Sequence, residues 1–371
     1  MDTQGVDLVP ALIRIYGAVP EGATLAKLPG DASTRAYYRL LAPLVPAGLP
    51  RTAMVMHLPP DALGSDEASG DHRPRELPFL NVQRMLAARG LSVPAVLVED
   101  VARRVLVLED LGDETFLARL RAHDRSEWLA LYETAVDLLV ELHERCAEPA
   151  ADCVAYERVF DYALLRWELD HFREWGVEAP WGAMQADVRA DLDGRFDALA
   201  REIAALPLGF VHRDYQSRNL MWTRRAGGDD ALAIIDFQDA LQGPCPYDLV
   251  ALLCDSYVSL EEPMQDALIA RYIARRGLRG DDARDFERSF WLVAVQRKLK
   301  DSGRFVFIDR VRGNEGFLPS YAPSLVNVGR ALRRLGGLDG LAELLARLVP
   351  GFPDAARLPP VATGSCRPPS S

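Results

Sequence analysis

Residues 210–222 read F-V-H-R-D-Y-Q-S-R-N-L-M-W, and residues 233–248 read A-I-I-D-F-Q-D-A-L-Q-G-P-C-P-Y-D. His212-Arg213-Asp214 followed by Asn219 has the H-R-D-x-x-x-x-N spacing of a phosphoryl-transfer catalytic loop. The apolar runs 220–222 and 232–235 are short enough to be strands, and the polar stretch 224–230 reads as their turn. Such a hairpin sets Asn219, at its entry, beside Asp236, just past its exit. An amide oxygen and a carboxylate can then share magnesium, which prefers hard oxygen ligands and keeps some water. Asp214, on the same loop, is placed to take a proton from an acceptor hydroxyl as general base. Single Asp and Asn residues are ordinary turn formers. Three at matching spacings, each beside its expected strand, are not.

The segment after Asp236 narrows the acceptor. A protein kinase needs a long activation segment at this point to hold a peptide. Here only a short loop separates Asp236 from the apolar segment 247–257, and no A-P-E sequence comes after it. Gln238 stands where D-F-G has its glycine, the residue that tolerates positive φ most cheaply. The acceptor is expected to be a small molecule.

Composition limits the alternatives. With 371 residues, 49% of them hydrophobic, the chain can bury a large core and form two domains. A net charge of −11 argues against nucleic acid or an anionic membrane as main partner. Lys27, Lys298 and Lys300 are the only lysines. No apolar run of membrane-spanning length occurs, and the N-terminus has no basic segment leading into an apolar core, so a cytoplasmic location is expected. The five cysteines form no C-x-x-C, which fits reduced thiols. His143, Cys146 and Cys153 offer three zinc ligands at most, and helix-end packing accounts for them better. No obligate protein partner is evident.

Outward from the centre, residues 6–16 read as a short amphipathic helix, with strands at 25–28, 37–41 and 53–58. The turn Gly30-Asp31-Ala32-Ser33-Thr34 can cover nucleotide phosphates with backbone N–H groups, or be an ordinary hairpin turn. Residues 59–74 read as a mobile loop. A helix is expected over 76–89 with Gly90 as its stop, then strands at 95–98 and 105–108. Glu109-Asp110-Leu111-Gly112 is the expected hinge, where backbone groups pair with an adenine edge; a plain strand-to-helix turn capped by Asp113 is the alternative. Helices are expected at 128–145, 158–175, 187–206, 247–257, 264–276, 282–300 and 324–348, and a disordered Pro/Ala/Ser-rich tail at 350–371. Trp167, Trp175 and Trp181 fall between predicted helices and could line a sugar pocket, although helix aromatics are usually core. The fold class is α+β: a small antiparallel β N-lobe, residues 1–110, and a large, mainly helical C-lobe, residues 111–349.

The sequence resembles the aminoglycoside phosphotransferase-like kinases, and more narrowly the anomeric amino-sugar kinases that phosphorylate N-acetylmuramate and N-acetylglucosamine at the C1 hydroxyl in cell-wall recycling. The resembling stretches are G-D-A-S-T-R-A-Y-Y-R-L (30–40), L-E-D-L-G-D (108–113), H-R-D-Y-Q-S-R-N-L-M (212–221), D-F-Q-D-A-L-Q-G-P-C-P-Y-D-L-V-A-L-L (236–253) and V-Q-R-K-L-K-D-S-G-R-F (295–305). The resemblance implies a bilobal protein-kinase-like fold using ATP and Mg2+, with Asp214 as base and Asn219 and Asp236 as metal ligands. Gly30 and Ser33 of the glycine turn and Glu109 and Leu111 of the expected hinge are the candidate nucleotide contacts. By the resemblance Asp248 is a structural acid bracing the catalytic loop, with His212 in the same supporting part. A kinase for another small alcohol, such as an aminoglycoside or choline, and a silent pseudokinase are the competing readings.

The third strand has no lysine for the α- and β-phosphates; Met56 and His57 stand there instead. The amino-sugar kinases lack that lysine too. Arg35 and Arg39, or Lys27, are the expected replacement cations. For the acceptor, Arg297 and Lys300 share a face of a predicted helix, and Arg297 is the expected reader of the lactyl carboxylate of N-acetylmuramate; a solvated basic face is the plainer alternative.

Overall fold

The computed structural model describes residues 7–28, 35–59, 76–224, 230–354, 357–358 and 360–361. It divides into two compact units, 1–114 with 221–239, and 115–220 with 240–371.

The first unit is built on a five-stranded antiparallel sheet of order β1-β2-β3-β5-β4, comprising β1 (Thr24–Lys27), β2 (Ala36–Leu41), β3 (Thr52–His57), β4 (Val96–Asp100) and β5 (Val105–Glu109). Alternation fixes its faces. Tyr38, Leu40, Ala53, Val55, Val105 and Val107 point to one side and form a core with Leu8, Ala11 and Leu12. The last two belong to helix α1 (Val9–Tyr16), which has a proline in its first turn and ends on Gly17 in the left-handed conformation. The register sets Arg39 opposite Met54, and Met54 opposite Leu108, so these three share the other face. Helix α2 (Pro78–Ala88) precedes β4, with Phe79, Leu80, Val82, Met85 and Leu86 buried.

The hairpin of β7 (Leu220–Arg224) and β8 (Asp230–Ile234) forms as its apolar runs predict. It corrects the linear division of the chain at residue 110. Trp222 N donates to Glu114 O, Ile234 N to Ser92 O, and Phe237 stacks on Phe79 at 5.1 Å, so residues 221–239 pack with the first unit.

The second unit is helical: α3 (Phe116–Ala122), α4 (Trp128–Arg145), α5 (Tyr162–His171), a single turn α6 (Ala179–Trp181), α7 (Ala186–Ala204), α8 (Tyr247–Leu253), α9 (Glu262–Arg275), α10 (Asp281–Arg312), α11 (Tyr321–Leu335) and α12 (Asp339–Leu348). A short antiparallel pair, β6 (Leu208–Val211) and β9 (Leu241–Pro244), flanks the catalytic loop in sequence. Helix α10 is 32 residues long and outruns its predicted end at Lys300. Gly303, in its middle, lets a neighbouring backbone come close: a Cβ there would sit 2.8 Å from Phe172 Cα. That neighbour is a π-helical stretch, Phe172–Glu178, continuing α5. The expected helix over 324–348 is two helices, parted at Gly336 and Gly337, both at positive φ. The expected tail is also corrected, since Phe352 and Leu358 are buried; residues 362–371 lie outside the described part.

Candidate active site

The catalytic loop leaves β6 at Val211 and is held mostly by groups buried beneath it. Asp248, in the first turn of α8 and fully buried, accepts His212 N at 2.7 Å and Arg213 N at 2.9 Å. His143 of α4 also reaches its Oδ2 at 3.3 Å, and the other ring nitrogen of His143 meets Tyr272 Oη at 2.7 Å. His143 therefore serves a hydrogen-bond chain, and no metal-binding group of three or more His, Cys, Asp or Glu occurs among the described residues. Asp214 N donates to His212 Nδ1 at 3.2 Å, which makes that nitrogen the acceptor of the imidazole.

Arg213 has φ of 78°, in the left-handed region that L side chains avoid, and Asp236 has φ of 65°. Such residues cost about 1–3 kcal/mol each and persist where the surroundings fix them. For Arg213 the fixing is visible. Its guanidinium is buried and pairs with Glu168 Oε1 at 3.3 Å, while Glu168 Oε2 accepts Gln296 Nε2 at 2.7 Å. Kinase loops ordered by phosphorylation wait for an added phosphate to meet such an arginine. Here a carboxylate built into α5 already does so. The D-F-G comparison also resolves physically: the positive φ falls on Asp236, so Gln238 meets no conformational penalty. Gln238 is buried and donates from Nε2 to Asp236 Oδ1 at 2.8 Å.

Asp214 is the exposed end of this network. Its side chain is 34% exposed, and Oδ1 lies 3.3 Å from Arg297 Nη2. Arg297 Nη1 donates to Arg213 O at 2.7 Å, and the guanidinium lies 4.6 Å from the Tyr247 ring centroid. This corrects two expectations together. Arg297 is neither a reader of a substrate carboxylate nor a solvated charge; it is wholly buried, and both of its Nη groups are spent on the loop. Lys300 is buried as well and lies 3.7 Å from Asp301 Oδ1. Burial pushes the Asp301 carboxyl up, but Lys298, Arg297 and Lys300 outweigh it and hold that group well below the usual carboxylate range.

Asn219 Nδ2 donates to Asp214 O at 2.9 Å. That bond assigns the amide: nitrogen is spent on the loop, and oxygen is the atom a hard cation takes. Ser217 donates from both N (3.0 Å) and Oγ (2.5 Å) to buried Asp255, whose other oxygen accepts Tyr257 N at 3.0 Å. Neither Glu168 nor Asp255 stands out in the sequence: Glu168 is one of several charged residues on its helix, and Asp255 is a single acid at the end of an apolar run.

In the first unit, Gly30 and Ser33 lie outside the described residues. Arg35 immediately precedes β2. The expectation that Arg39 meets phosphate is corrected, since its guanidinium bridges Asp110 (2.9 Å) and Asp113 (2.5 Å) and bonds Gly112 O. Asp113 is thus an ion-pair partner and not a helix cap; Thr115 caps α3. Glu109 Oε2 accepts Ala95 N at 3.1 Å, and Leu111 is half-buried. Of the three tryptophans, Trp167 is exposed and stacks on His171 at 5.5 Å, and Trp175 packs on the same ring and on Phe307. Trp181 turns to Tyr321 Oη instead, at 3.2 Å.

A sequence profile of the phosphotransferase enzyme family (APH) matches residues 24–288, which include the catalytic loop and Asp236. The chain belongs to this family. A Pseudomonas aeruginosa protein named N-acetylmuramate/N-acetylglucosamine kinase is 33% identical over 91% of each chain. A Neisseria meningitidis serogroup B protein of the same name is 36% identical, over 73% of this chain and 79% of that one. Two solved structures show the fold. Aminoglycoside phosphotransferase APH(2'')-Ib, ADP-bound, has a TM-score of 0.55 at 12% identity, covering 89% of this chain and 99% of that one. A microcompartment-associated aminopropanol kinase has a TM-score of 0.52 at 20% identity, covering 92% and 98%. This phosphotransferase therefore has the protein-kinase-like fold of small-molecule kinases.

Proposed function

We propose that this phosphotransferase moves the γ-phosphoryl group of ATP to the anomeric C1 hydroxyl of an amino sugar, N-acetylmuramate or N-acetylglucosamine, in peptidoglycan recycling. The observation that carries the chemistry is Asp214: a partly exposed carboxylate at the end of a buried network, gripped by Arg297. Its free oxygen lobe accepts the hydroxyl proton as the sugar oxygen bonds to phosphorus and the bond to ADP breaks. The choice of sugar is supported by the relatives' names at 29–36% identity. Aminoglycoside and choline acceptors are cationic and call for acidic pockets, whereas Arg218 stands on the same loop as Asp214.

Magnesium is proposed from the chemistry of each donor taken by itself: Asn219 has its amide nitrogen committed to its own loop, and Asp236, in the first unit, has its carboxylate oriented by Gln238. When bound, magnesium neutralises charge on the phosphoryl oxygens. Arg35, beside the glycine turn, stays the proposed phosphate cation. The test is phosphoryl transfer from labelled ATP over amino sugars, aminoglycosides and choline. Label on C1 of an amino sugar is the expected result; transfer only to an aminoglycoside or choline would overturn the acceptor, and transfer to none would make this a silent nucleotide binder.

A further inference from the structure

Arg218 stands one residue before Asn219, on the same loop as Asp214. The loop is closed tightly: Gln216 N donates to Asp214 O at 2.8 Å, Asn219 N to Gln216 O at 2.9 Å, and the Asn219 amide to Asp214 O. The guanidinium carbon of Arg218 lies over the Tyr257 ring, 3.8 Å from its centroid, with Phe317 at 5.8 Å. Behind both residues is one buried carboxylate. Asp255 holds Ser217, the neighbour of Arg218, through one oxygen and Tyr257 N through the other. The stack is therefore fixed from its backbone. Phe305 and Phe317, stacked at 6.2 Å, continue the aromatic surface.

The charge of Arg218 is unlike the others near the base. Arg213 has Glu168, Arg297 has Asp214 and Asp301, and Lys298 has Asp301. Among the described residues Arg218 touches aromatic rings, and no carboxylate pairs with it. A guanidinium stacked on a ring keeps its N–H donors in its own plane, where two parallel bonds to a carboxylate form without breaking the stack. The ring meanwhile removes much of the conformational freedom that a long side chain loses on binding. Tyr257 also lies close enough to the base to feel it. Burial, opposed by Arg218 and reinforced by Asp255, Asp301 and Asp214, pushes its hydroxyl well above the usual tyrosine range.

We propose that Arg218, held on Tyr257, reads a carboxylate on the acceptor itself, borne by the same sugar that presents its hydroxyl to Asp214. This rests on the amino-sugar reading of the acceptor. The lactyl group of N-acetylmuramate is such a carboxylate, and N-acetylglucosamine lacks it, so Arg218 is a specificity determinant between the two.

The experiment compares the parent, Arg218→Gln and Arg218→Lys on both sugars, measuring kcat/KM and, without ATP, calorimetric binding. In Arg218→Gln the kcat/KM ratio of N-acetylmuramate to N-acetylglucosamine should fall about 10- to 100-fold, the range for one charge-assisted contact. Arg218→Lys, which keeps the charge without the fork, should recover part of it. An unchanged ratio overturns the proposal, whether both sugars are untouched or both lose equally; equal loss with a raised KM for ATP would place Arg218 on the phosphates. A parent protein that neither binds nor phosphorylates either sugar overturns the acceptor reading and this proposal with it. The two failures are thus read on different proteins.

Discussion

Arg297, with no exposed surface, holds Asp214 by its carboxylate at 3.3 Å and by the preceding carbonyl at 2.7 Å. The two contacts tie the side chain of the proposed base to the backbone of its own loop. Only a planar fork with several donors spans both acceptors; an ammonium is a single point of charge. Arg297 is a positioning residue, and Arg297→Lys separates this from simple charge balance. It should lower kcat on the order of 10²-fold, the cost of a base displaced by an ångström, with KM for ATP little changed. Parent-like kcat would show that the grip does not place Asp214.

Asp214→Asn keeps the size of the side chain and removes the proton acceptor. Turnover should fall by roughly 10²–10⁴, the range for losing a general base, while calorimetric ATP binding stays near the parent value. Turnover within about threefold of the parent would take Asp214 out of the chemistry.

Asp236→Ala and Asn219→Ala should each weaken magnesium-dependent ATP binding, Asp236 more, since it brings a full charge. Gln238→Gly restores the residue common at this place in kinases, yet removes the amide that orients Asp236 at 2.8 Å. Loss of such an orienting contact costs about 10- to 100-fold in metal affinity or activity. Titrations of each variant with ATP, with and without magnesium, should show losses that vanish when magnesium is omitted. Tight Mg-ATP binding by Asp236→Ala would refute the ligand assignment.

How much is legible in the sequence depends on where each signal lies. The hairpin 220–234 and the strands of the first unit read correctly because short apolar alternation and polar turns are local properties. Asp214, Asn219 and Asp236 stand out because the H-R-D-x-x-x-x-N spacing and the acid after an apolar strand are patterns along the chain. Arg297 misleads because an arginine three residues from a lysine on a helix looks like a basic surface. Besides Asp301, one turn along the same helix, its partners are Tyr247 and the Arg213 carbonyl, which come from separate segments. The end of α10 is hidden for the same reason: from Phe290 to Asp309 the helix is buried on nearly every side, its polar residues face other buried polar groups, and periodicity is lost. The pairing of Arg39 with Asp110 and Asp113 joins β2 to the segment after β5, more than seventy residues away, beyond any local pattern.

Asp301 gives the last expectation. It is buried among Lys298 at 2.7 Å, Lys300 at 3.7 Å and Arg297 at 4.0 Å. Three cations around one carboxylate depress its folded pKa, so the folded state favours the ionised form more than the unfolded chain does. The stabilisation is therefore complete above the unfolded value of about 4, and is lost as pH falls from there toward the lower folded value. At pH 7 it is fully present. Asp301→Asn leaves the cations without their anion and should cost about 3–5 kcal/mol at neutral pH, the range for breaking a buried ion pair from one side. Denaturant midpoints at pH 7 and about pH 3 test this. The gap between parent and variant should narrow in acid, because only the parent loses an ionised group there. A gap that stays constant with pH would mean that Asp301 contributes through packing and hydrogen bonding and not through its charge.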